Sequence, residues 1–361
     1  MFKKLITAPL SWIYGWIIAL RHKLFDMKIL KSVEFDIPIV CVGNITVGGT
    51  GKTPHTEYLV KMLSPYYNVA VLSRGYKRKT KGFVLADANC SSRKIGDEPK
   101  QIKLKFPDIP VAVCEKRVEG INRLRQIHPE INLIILDDGF QHRYVETWVN
   151  IILMDYSRPI YEDQLLPLGR LRDRKSELAK AHFIIVTKCP EDIKPIDMRV
   201  VSKHLNLFPY QSLFFTRFIS LQPCPLFKEE TPILPHKGQD VVVMAAIANP
   251  SHLIDDVKRN YNIVETLIYP DHYSYKTHDL EAMNKAVRKG KEDTIILTTE
   301  KDAVKLTNSK KIPENIRRRL YYIPIRIQFV DNFRNNTPEL FIEKLLPYVR
   351  QNQKYSVLNP E

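Results

Sequence analysis

A glycine-rich stretch near residue 50 carries the clearest chemical signal in the sequence. The apolar run Ile39–Val42 leads into residues 43–53, GNITVGGTGKT, and a helical pattern follows. Small residues let successive backbone N–H groups converge on phosphate oxygens, and the following helix adds the positive end of its dipole. Lys52 can reach the β- and γ-phosphates of a nucleotide, and the Thr53 hydroxyl can bind Mg²⁺. The stretch therefore predicts a phosphate-binding loop.

The loop departs from the usual G-x-x-x-x-G-K-[ST] pattern at its start. Thr46 stands where the first glycine is expected, and Gly48 and Gly49 are added inside the loop. The alternative is a glycine-rich turn with a chance Lys-Thr pair, but a strand before and a helix after are the context that phosphate binding needs. We expect nucleotide contacts from eight consecutive residues: Thr46, Val47, Gly48, Gly49, Thr50, Gly51, Lys52 and Thr53.

Two aspartates, Asp137 and Asp138, follow the apolar run Leu133–Leu136. An acidic residue at the end of a buried parallel strand beside the phosphate-loop strand is the usual place for a Mg²⁺-binding carboxylate. A single aspartate there is more often a turn residue or a helix cap, but two in succession beside a phosphate loop favour a metal role. Thr53, Asp137 and Asp138 are the predicted magnesium ligands, and either aspartate could be the direct one.

The segment after Phe183–Val186 bears on the choice of nucleotide. GTP-binding proteins often carry Asn/Thr-Lys-x-Asp at such a place, and its aspartate reads guanine. Here the residues are Thr187-Lys188-Cys189-Pro190, so Pro190 replaces the aspartate. ATP is therefore the expected nucleotide.

Two further groups could act on a phosphate acceptor. Asp97 begins a helical stretch, where it could cap the helix or take a proton from a hydroxyl group. Asp271 and His272 follow the predicted strand Val264–Tyr269, at the end where α/β sheets place ligands. Brought together across two domains, Asp97 and His272 would make a stronger base than either alone.

Three arginines are candidates for contact with a transferred phosphoryl group. Arg117 begins a helix, and Arg170 and Arg172 lie in the segment Leu168–Asp173. Phosphoryl transfer places guanidinium groups on the equatorial oxygens, whereas exposed arginines are ordinarily surface charge. Spacing alone does not decide between these two interpretations.

Six short runs from Pro38 onward are apolar throughout, and they alternate with helical patterns such as Lys52–Leu63 and Arg117–Ile127. Such runs suit strands that are buried on both faces of a parallel sheet. We predict an α/β fold: a P-loop, doubly wound, mostly parallel sheet with a second, smaller α/β domain. The six runs are Ile39–Val42, Val69–Leu72, Val111–Cys114, Leu133–Leu136, Ile151–Met154 and Phe183–Val186.

The pattern changes in a proline-rich segment near residues 206–240. We assign 25–212 to the phosphate-loop domain, 213–240 to a linker with one strand at Leu213–Ile219, and 241–330 to the smaller domain. A helix within 337–350 is expected to pack back on the first domain. The strands expected in the smaller domain are Val241–Ala246, Val264–Tyr269, Thr294–Leu297 and Tyr321–Phe329.

Residues 1–24 are predicted to form a helix at a membrane interface. Leu5–Leu20 is nearly unbroken apolar sequence between basic flanks, and it contains Trp12 and Trp16. As a helix it would cover about 24 Å, short of the ~30 Å hydrocarbon core, which favours an interfacial position over a span. A buried docking helix and an uncleaved signal-like segment are the alternatives. Its small or polar residues, spaced by four, form one stripe: Thr7, Ser11 and Gly15.

Composition excludes several classes of protein. The chain has 361 residues, of which 44% are hydrophobic and 26% charged, so collagen, coiled coil, a disordered tail and a multi-span membrane protein are excluded. The five cysteines include no CxxC pair, which favours a reducing compartment. The net charge of +15 suggests an anionic partner. Nucleic acid is not expected because the basic residues are dispersed without interleaved aromatics, and no obligate protein partner is evident.

Seven motifs, in this order and over almost the whole chain, resemble those of the tetraacyldisaccharide 4′-kinase family, the lipid A 4′-kinases of Gram-negative bacteria. Thr46 in place of glycine is itself typical of that family. The motifs are Thr46–Pro54 (TVGGTGKTP), Ser73–Tyr76 (SRGY), Gly96–Pro99 (GDEP), Asp137–His142 (DDGFQH), Leu168–Arg172 (LGRLR), Asp271–His272 (DH) and Thr299–Ala303 (TEKDA).

The resemblance implies a specific reaction and place. ATP, with Mg²⁺, would donate its γ-phosphate to the 4′-hydroxyl of a tetraacylated disaccharide 1-phosphate. The reaction would take place at the cytoplasmic face of the bacterial inner membrane. A basic protein with an interfacial helix suits such an acylated, phosphorylated substrate.

The resemblance also implies a role for each matching residue. The only departure is Asp173, where the family often has glutamate. Lys52 and Thr53 would hold ATP and Mg²⁺, Asp137 and Asp138 would serve the metal, Asp97 would act as base with help from His272, Arg117 and Arg172 would steady the transferred group, and Tyr76 would contribute to the cleft.

A P-loop NTPase switch or a metallochaperone is the competing interpretation, because its output would be a conformation rather than a product. Such a protein would share Lys52, Thr53 and Asp137. It would not require Asp97, His272 or an apolar N-terminal helix.

Overall fold

The computed structural model describes residues 2–87, 89–227, 232–307, 312–331 and 336–351. Small parts of the sequence-based assignments lie outside the described residues. These are residue 1 of the interface helix, residue 88 of the first domain, 228–231 of the linker and 308–311 of the smaller domain.

The strands are rich in Val, Ile and Leu, which fit a pleated surface covered on both faces. In chain order they are β1 (Ile39–Gly43), β2 (Val69–Ser73), β3 (Val84–Leu85), β4 (Val111–Val113), β5 (Leu133–Asp137), β6 (Val149–Asp155), β7 (Phe183–Thr187), β8 (Ser212–Ser220), β9 (Cys224–Pro225), β10 (Asp240–Ala245), β11 (Asn262–Ile268), β12 (Ile295–Thr299), β13 (Leu320–Ile323) and β14 (Ile325–Phe329).

Most of the helices connect one strand to the next. In chain order they are α1 (Phe2–Asp26), α2 (Lys52–Leu63), α3 (Ser92–Ile95), α4 (Asp97–Lys105), α5 (Arg117–Ile127), α6 (Pro195–Leu205), α7 (Ser251–Lys258), α8 (Thr277–Val287), α9 (Glu300–Leu306), α10 (Glu314–Arg317) and α11 (Pro338–Gln351). Short 3₁₀ turns lie at Ile160–Glu162 and Lys175–Lys180.

The larger sheet has nine strands in the order β14-β8-β7-β6-β1-β5-β2-β4-β3. Its pairs are parallel except β14 on β8 and β3 on β4, which are antiparallel. β1 lies between β5 and β6, and its register places Val42 beside Asp137. The loop after β1 and the aspartates after β5 therefore emerge next to each other at one edge, as ligand sites do in such sheets.

The smaller sheet has five strands in the order β11-β10-β12-β13-β9, and only β9 is antiparallel to its neighbour. Apolar residues of α8 and α9 cover it, among them Leu280, Met283 and Leu306. Together the two sheets confirm the predicted α/β class, with a mostly parallel main sheet and a second, smaller one.

The structure divides one predicted strand between the two sheets. Tyr321–Phe329 was expected to be a single strand of the smaller domain, but the chain breaks at Pro324. β13 joins the smaller sheet, whereas β14 pairs with β8 at the edge of the larger one. Proline has no N–H to donate to a ladder, so it ends one strand where the next begins.

The strand that we placed in the linker also belongs to the larger sheet. β8 pairs in parallel with β7, from Phe183 beside Ser212 to Val186 beside Phe215. Phe214 and Phe215 are buried in the core. Residues up to 220 therefore depart from the 213–240 linker assignment, because burial of these aromatic side chains requires β8 to be part of the sheet.

The C-terminal helix α11 packs against the core of the larger sheet. Phe341, Leu345 and Val349 are buried in the same cluster as residues of β1 and β7. The Phe341 ring lies 5.4 Å from the ring of Phe183 and 5.1 Å from that of Phe214, both edge-to-face. The larger sheet is thus completed by residues from the end of the described chain.

The N-terminal helix α1 docks through its polar stripe. Ser11 Oγ donates to the Leu165 carbonyl oxygen at 2.8 Å, and Tyr14 OH donates to that of Arg172 at 3.0 Å. His22 Nε2 lies 2.7 Å from Asp173 Oδ1, and both side chains are buried. Segment 163–173, which these contacts hold, is called the bridging loop below.

The opposite side of α1 is apolar and exposed. Trp12 is 76% exposed and Trp16 is 72% exposed. Polar groups inside and large apolar groups outside reverse the usual arrangement for a helix in water. No helix among the residues that the structure describes is both long and apolar enough to cross a membrane. The residues of this apolar face of α1 are Leu10, Trp12, Ile13, Trp16, Ile17 and Leu20.

Candidate active site

The phosphate loop connects β1 to α2 through backbone conformations that favour glycine. Gly48 has φ +118° and Gly51 has φ +86°. A Cβ atom at Gly51 would lie 2.5 Å from Phe218 Cζ, whereas one at Gly49 would meet nothing within 4 Å. Gly51 is the N-cap of α2 and has no side chain with which to cap it, so the first N–H groups of the helix remain available to an anion.

The Gly51→Ala variant is expected to be markedly less stable. The left-handed backbone and the contact with Phe218 together should cost about 2 kcal/mol or more. We expect the Tm to fall by about 4–8 °C, as measured by calorimetry. Gly49→Ala is the matched control, because Gly49 has neither constraint. Equal Tm values for the two variants would contradict this account of the loop.

Side chains from three other segments hold the start of the loop. Asn44 Nδ2 donates to Thr50 Oγ1 at 2.8 Å, and Gln141 Nε2 donates to the Asn44 carbonyl oxygen at 2.7 Å. The bridging loop pairs with it through backbone bonds, from Val47 N to Arg170 O and from Arg172 N to Ile45 O, both 2.8 Å. The backbone N–H groups of the loop are thus fixed before any ligand arrives.

His55 holds the end of the loop from inside the protein. Its Nδ1 lies 2.8 Å from the Gly51 carbonyl oxygen, an acceptor, so Nδ1 carries the hydrogen and Nε2 accepts from Thr216 Oγ1 at 3.1 Å. Burial lowers the pKa of His55 to about 4, even though the bond to Gly51 opposes this. A neutral His55 therefore fixes Gly51 and adds no charge.

Asp138 joins the two cations nearest the loop. Arg172 Nη1 donates to Asp138 Oδ2 at 3.3 Å and Arg172 Nη2 donates to Oδ1, and Lys52 Nζ lies 3.8 Å from Oδ1. Burial raises the pKa of Asp138, but the charges of Lys52 and Arg172 outweigh it and hold the pKa below its ordinary value. Asp138 also has φ 53°, a strained conformation of the kind that clusters at functional sites.

Asp137 is buried and under-neutralised. Its Oδ1 accepts from Thr56 Oγ1 at 3.2 Å. Burial, and then the charge of Asp138, raise the pKa of Asp137 to about 6. A cation at this position would relieve the excess negative charge.

The predicted magnesium ligands supply suitable chemistry. Two carboxylates and the Thr53 hydroxyl are the hard oxygen donors that Mg²⁺ prefers. Within the described ranges, no group of three or more His, Cys, Asp or Glu side chains could hold a metal ion. This agrees with Mg²⁺, which is usually bound by one or two carboxylates together with substrate phosphates. The residues present therefore fit the ion.

Asp97 and His272 come together from the two sheets. His272 Nδ1 lies 3.2 Å from Asp97 Oδ2. Asp97 does not cap its helix: Gly96 is the N-cap of α4, and no side chain caps α4 there. His272 has φ 64°, again a strained conformation. The helix-cap alternative for Asp97 is thus wrong, and the carboxylate is free for another role.

Two lysines of α9, Lys301 and Lys305, surround this pair. Lys305 Nζ lies 3.8 Å from Asp97 Oδ2, and Lys301 Nζ lies 3.1 Å from Glu98 Oε1. Burial raises the pKa of Asp97, but the His272 bond and the two lysines outweigh it and hold the pKa below its ordinary value. Sequence analysis assigned these lysines no role, although their i,i+4 spacing places both on one helix face.

A buried glutamate links the phosphate-loop helix to the acceptor side. Glu57 of α2 accepts from Gln101 Nε2 at 2.8 Å and from Lys105 Nζ at 2.7 Å, and both donors lie on α4. Lys105 Nζ also lies 3.1 Å from Glu300 Oε1 of α9. The charge of Glu98 acts on both Lys52 and Asp137. The phosphate loop and the Asp97–His272 pair therefore lie within electrostatic range of each other.

The remaining candidates lie at different depths. Arg117 is only 2% exposed, and its Nη1 donates to the carbonyl oxygens of Cys114 at 2.8 Å and Glu115 at 3.2 Å. Its charge acts on Asp138 from inside the protein. Arg170 is exposed, and the exposed ring of Tyr76 lies 5.6 Å from that of His272. The proposed contacts of Arg117 and Tyr76 with substrate stay predictions.

Comparisons with known proteins agree with this arrangement. A model of the family described as "Tetraacyldisaccharide-1-P 4′-kinase" matches residues 3–341. The "Tetraacyldisaccharide 4′-kinase" of Phocaeicola vulgatus is 47% identical over 354 residues, 96% of each chain, and that of Flavobacterium johnsoniae is 39% identical over 349 residues, 96% of this chain and 97% of the other.

A solved structure matches as well. The crystal structure of the "apo" form of LpxK from Aquifex aeolicus in complex with ATP has a TM-score of 0.75 and 26% identity, and it covers 97% of this chain and 99% of that one. The sequence and structural matches thus both extend over nearly the whole chain. The chain belongs to the tetraacyldisaccharide-1-P 4′-kinase family.

Proposed function

We propose that the protein transfers the γ-phosphate of ATP to the 4′-hydroxyl of a tetraacyldisaccharide 1-phosphate, a step of lipid A biosynthesis. One observation carries the proposal: the Asp97–His272 pair, 3.2 Å apart, lies within electrostatic range of the phosphate loop. A P-loop switch or metallochaperone needs a nucleotide site but no paired base beside it. The family membership supports the same choice of acceptor.

On the donor side, the chain supplies positive charge and fixed N–H groups. The phosphate loop and the N-terminus of α2 would bind the phosphates, while Lys52 and Arg172 would contact the transferring group. Asp137, Asp138 and Thr53 would hold Mg²⁺, which when bound offsets the charge on the β- and γ-phosphate oxygens. Arg117 would add positive potential from beneath Asp138.

On the acceptor side, Asp97 would take the proton of the 4′-hydroxyl as the oxygen attacks phosphorus. The O–H bond breaks, a bond forms between the proton and the carboxylate, and the γ-phosphate leaves ADP for the sugar oxygen. His272 would hold Asp97 in place through the Nδ1 contact. Because this acid–base pair joins the two sheets, it positions acceptor and donor together.

The apolar face of α1 would bind the bilayer that contains the lipid. Large apolar groups exposed on one side of a helix, with tryptophans among them, are typical of interfacial binding, and a net charge of +15 suits anionic lipid. We therefore place the protein at the cytoplasmic face of the bacterial inner membrane, where ATP is available.

A Trp12→Glu/Trp16→Glu variant should bind membranes about 100-fold more weakly, or about tenfold per tryptophan. The measurement is sedimentation with vesicles of phosphatidylethanolamine and phosphatidylglycerol. Ile196→Glu/Val200→Glu is the matched control, because both residues are exposed, four apart and on another helix, α6. Membrane binding that survives in the tryptophan variant, or is lost equally in the control, would argue against the assignment of this face.

The proposed reaction is tested with labelled ATP and three samples: tetraacyldisaccharide 1-phosphate, the same disaccharide without acyl chains, and buffer alone. A kinase of the proposed class transfers label to the acylated acceptor and releases little phosphate without it. A switch NTPase would release phosphate in all three samples and label no lipid, and that result would reject the proposal.

A further inference from the structure

The two ring nitrogens of His272 face partners of opposite kind. Nδ1 lies 3.2 Å from the carboxylate oxygen Oδ2 of Asp97, and Nε2 lies 3.2 Å from the ammonium nitrogen of Lys301. An ammonium group only donates hydrogen bonds, so Nε2 must be the unprotonated nitrogen that accepts one. The hydrogen of a neutral imidazole is then on Nδ1 and points at Asp97.

We propose that Lys301 is a positioning residue that fixes the tautomer of His272, so that His272 donates a hydrogen bond to Asp97 and does not serve as a second proton acceptor. The inference deepens the proposed function and rests on Asp97 being the base. It assigns a role to the Thr299–Ala303 motif, whose residues the reaction otherwise leaves unused.

Lys301 is held in place by two carboxylates. Its Nζ lies 3.1 Å from Glu98 Oε1 and 3.2 Å from Asp271 Oδ1. Burial lowers the pKa of Lys301, but Glu98 and Asp271 outweigh it and raise the pKa above its ordinary value. The ammonium therefore stays charged at neutral pH, and its contact with Nε2 persists.

The other groups around His272 lie farther from Nε2. Asp271 Oδ2 is 3.7 Å away and Glu98 Oε1 is 4.0 Å away, both beyond hydrogen-bond distance. These two carboxylates would favour a doubly protonated ring, but the ammonium of Lys301 is closer and neutralises both. The ring of Tyr76 and the ammonium of Lys305, which faces Asp97, complete the surroundings.

This arrangement determines where the proton of the acceptor goes. His272 and Lys305 both contact Oδ2 of Asp97, so Oδ1 is the oxygen left to take the hydroxyl proton. The proton stays on Asp97, because Nδ1 already carries a hydrogen and cannot accept another. A bond donated to the carboxylate also lowers its proton affinity, so His272 orients the base and does not strengthen it.

The test is long-range ¹H–¹⁵N correlation NMR on the full-length chain labelled with ¹⁵N-histidine, at neutral pH and without substrates. The His272 signals are assigned as those lost in His272→Gln. We expect a protonated Nδ1 and an unprotonated Nε2. Lys301→Arg should keep this pattern, since guanidinium also only donates. Lys301→Met should move the hydrogen to Nε2 or protonate both nitrogens, whereas the exposed control Lys258→Met should change nothing.

A wild-type spectrum with Nε2 protonated would overturn the inference, and so would a Lys301→Met spectrum identical to it. The wild-type spectrum alone is decisive if Lys301→Met does not fold. Activity gives a second readout: Lys301→Met should lower kcat with little change in the KM for ATP, and Lys301→Arg should restore kcat. Because the spectrum requires no turnover, an inactive protein with the expected tautomer would refute the proposed function and leave this inference intact.

Discussion

Replacing Asp97 with asparagine should lower kcat for transfer to the lipid by about 10²–10⁴-fold, the range that a general base contributes. Asparagine keeps the shape and the hydrogen bonding capacity of the side chain but cannot take a proton. The wild-type carboxylate is suited to the task because the contacts of His272, Lys305 and Lys301 hold the pKa of Asp97 below its ordinary value. The group is therefore ionised at neutral pH and able to accept.

Steady-state transfer to the acylated disaccharide, together with equilibrium binding of ATP, measures this effect. ATP binding should stay near the wild-type value, since Asp97 has no contact with Lys52 or the phosphate loop. Asp108→Asn is the matched control: the same change at an exposed aspartate in the turn after α4. Full transfer by the purified Asp97→Asn protein would reject Asp97 as the base.

The Lys52→Met variant should lower kcat/KM for ATP by about 10²–10³-fold or more, as the loss of a charged phosphate contact does. Lys52 is the first residue of α2, directly after the loop glycines, and its ammonium lies 3.8 Å from Asp138. The fold should survive the change, because Asp138 keeps two hydrogen bonds from Arg172. The expected loss is therefore one of nucleotide use and not of structure.

Lys61→Met provides the control for that loss. Lys61 lies on the same helix, is exposed, and is in the last turn, far along the chain from the loop. Calorimetry on both variants separates stability from activity. If Lys52→Met turned over ATP as efficiently as Lys61→Met, the loop would not be the phosphate site.

The local parts of the fold and site could be predicted from sequence. α2 and α5 have the predicted bounds, Lys52–Leu63 and Arg117–Ile127, because each begins directly after a loop and ends where its helical pattern ends. The phosphate loop and the aspartates after β5 were found because both signals lie within about ten residues, inside the reach of pattern rules.

Sheet membership could not be predicted in the same way. A continuous apolar run indicates burial, but it contains no information about which strand lies beside it. β8 therefore looked like part of a linker, and β13 and β14 looked like one strand. Only the folded chain shows that Pro324 separates two strands that belong to different sheets.

The electrostatic details of the site were equally out of reach. The contact between His272 and Lys301 joins residues 29 positions apart, and it exists because β11 and β12 both flank β10. The positive φ values at Asp138 and His272 belong to residue types that usually avoid them, so no propensity rule predicts them. The burial of Arg117 likewise depends on how α5 packs against the sheet.

The late return of the chain to its first sheet has a consequence for biosynthesis. Domains generally fold in the order in which the ribosome makes them. Here β14 and the buried face of α11 are translated after the whole smaller sheet, yet they complete the larger one. During translation, the outer edge of β8 and the rings of Phe183 and Phe214 must wait for partners more than a hundred residues downstream. The part of the enzyme that is begun first is finished last, and its nascent chain is a natural client for chaperones.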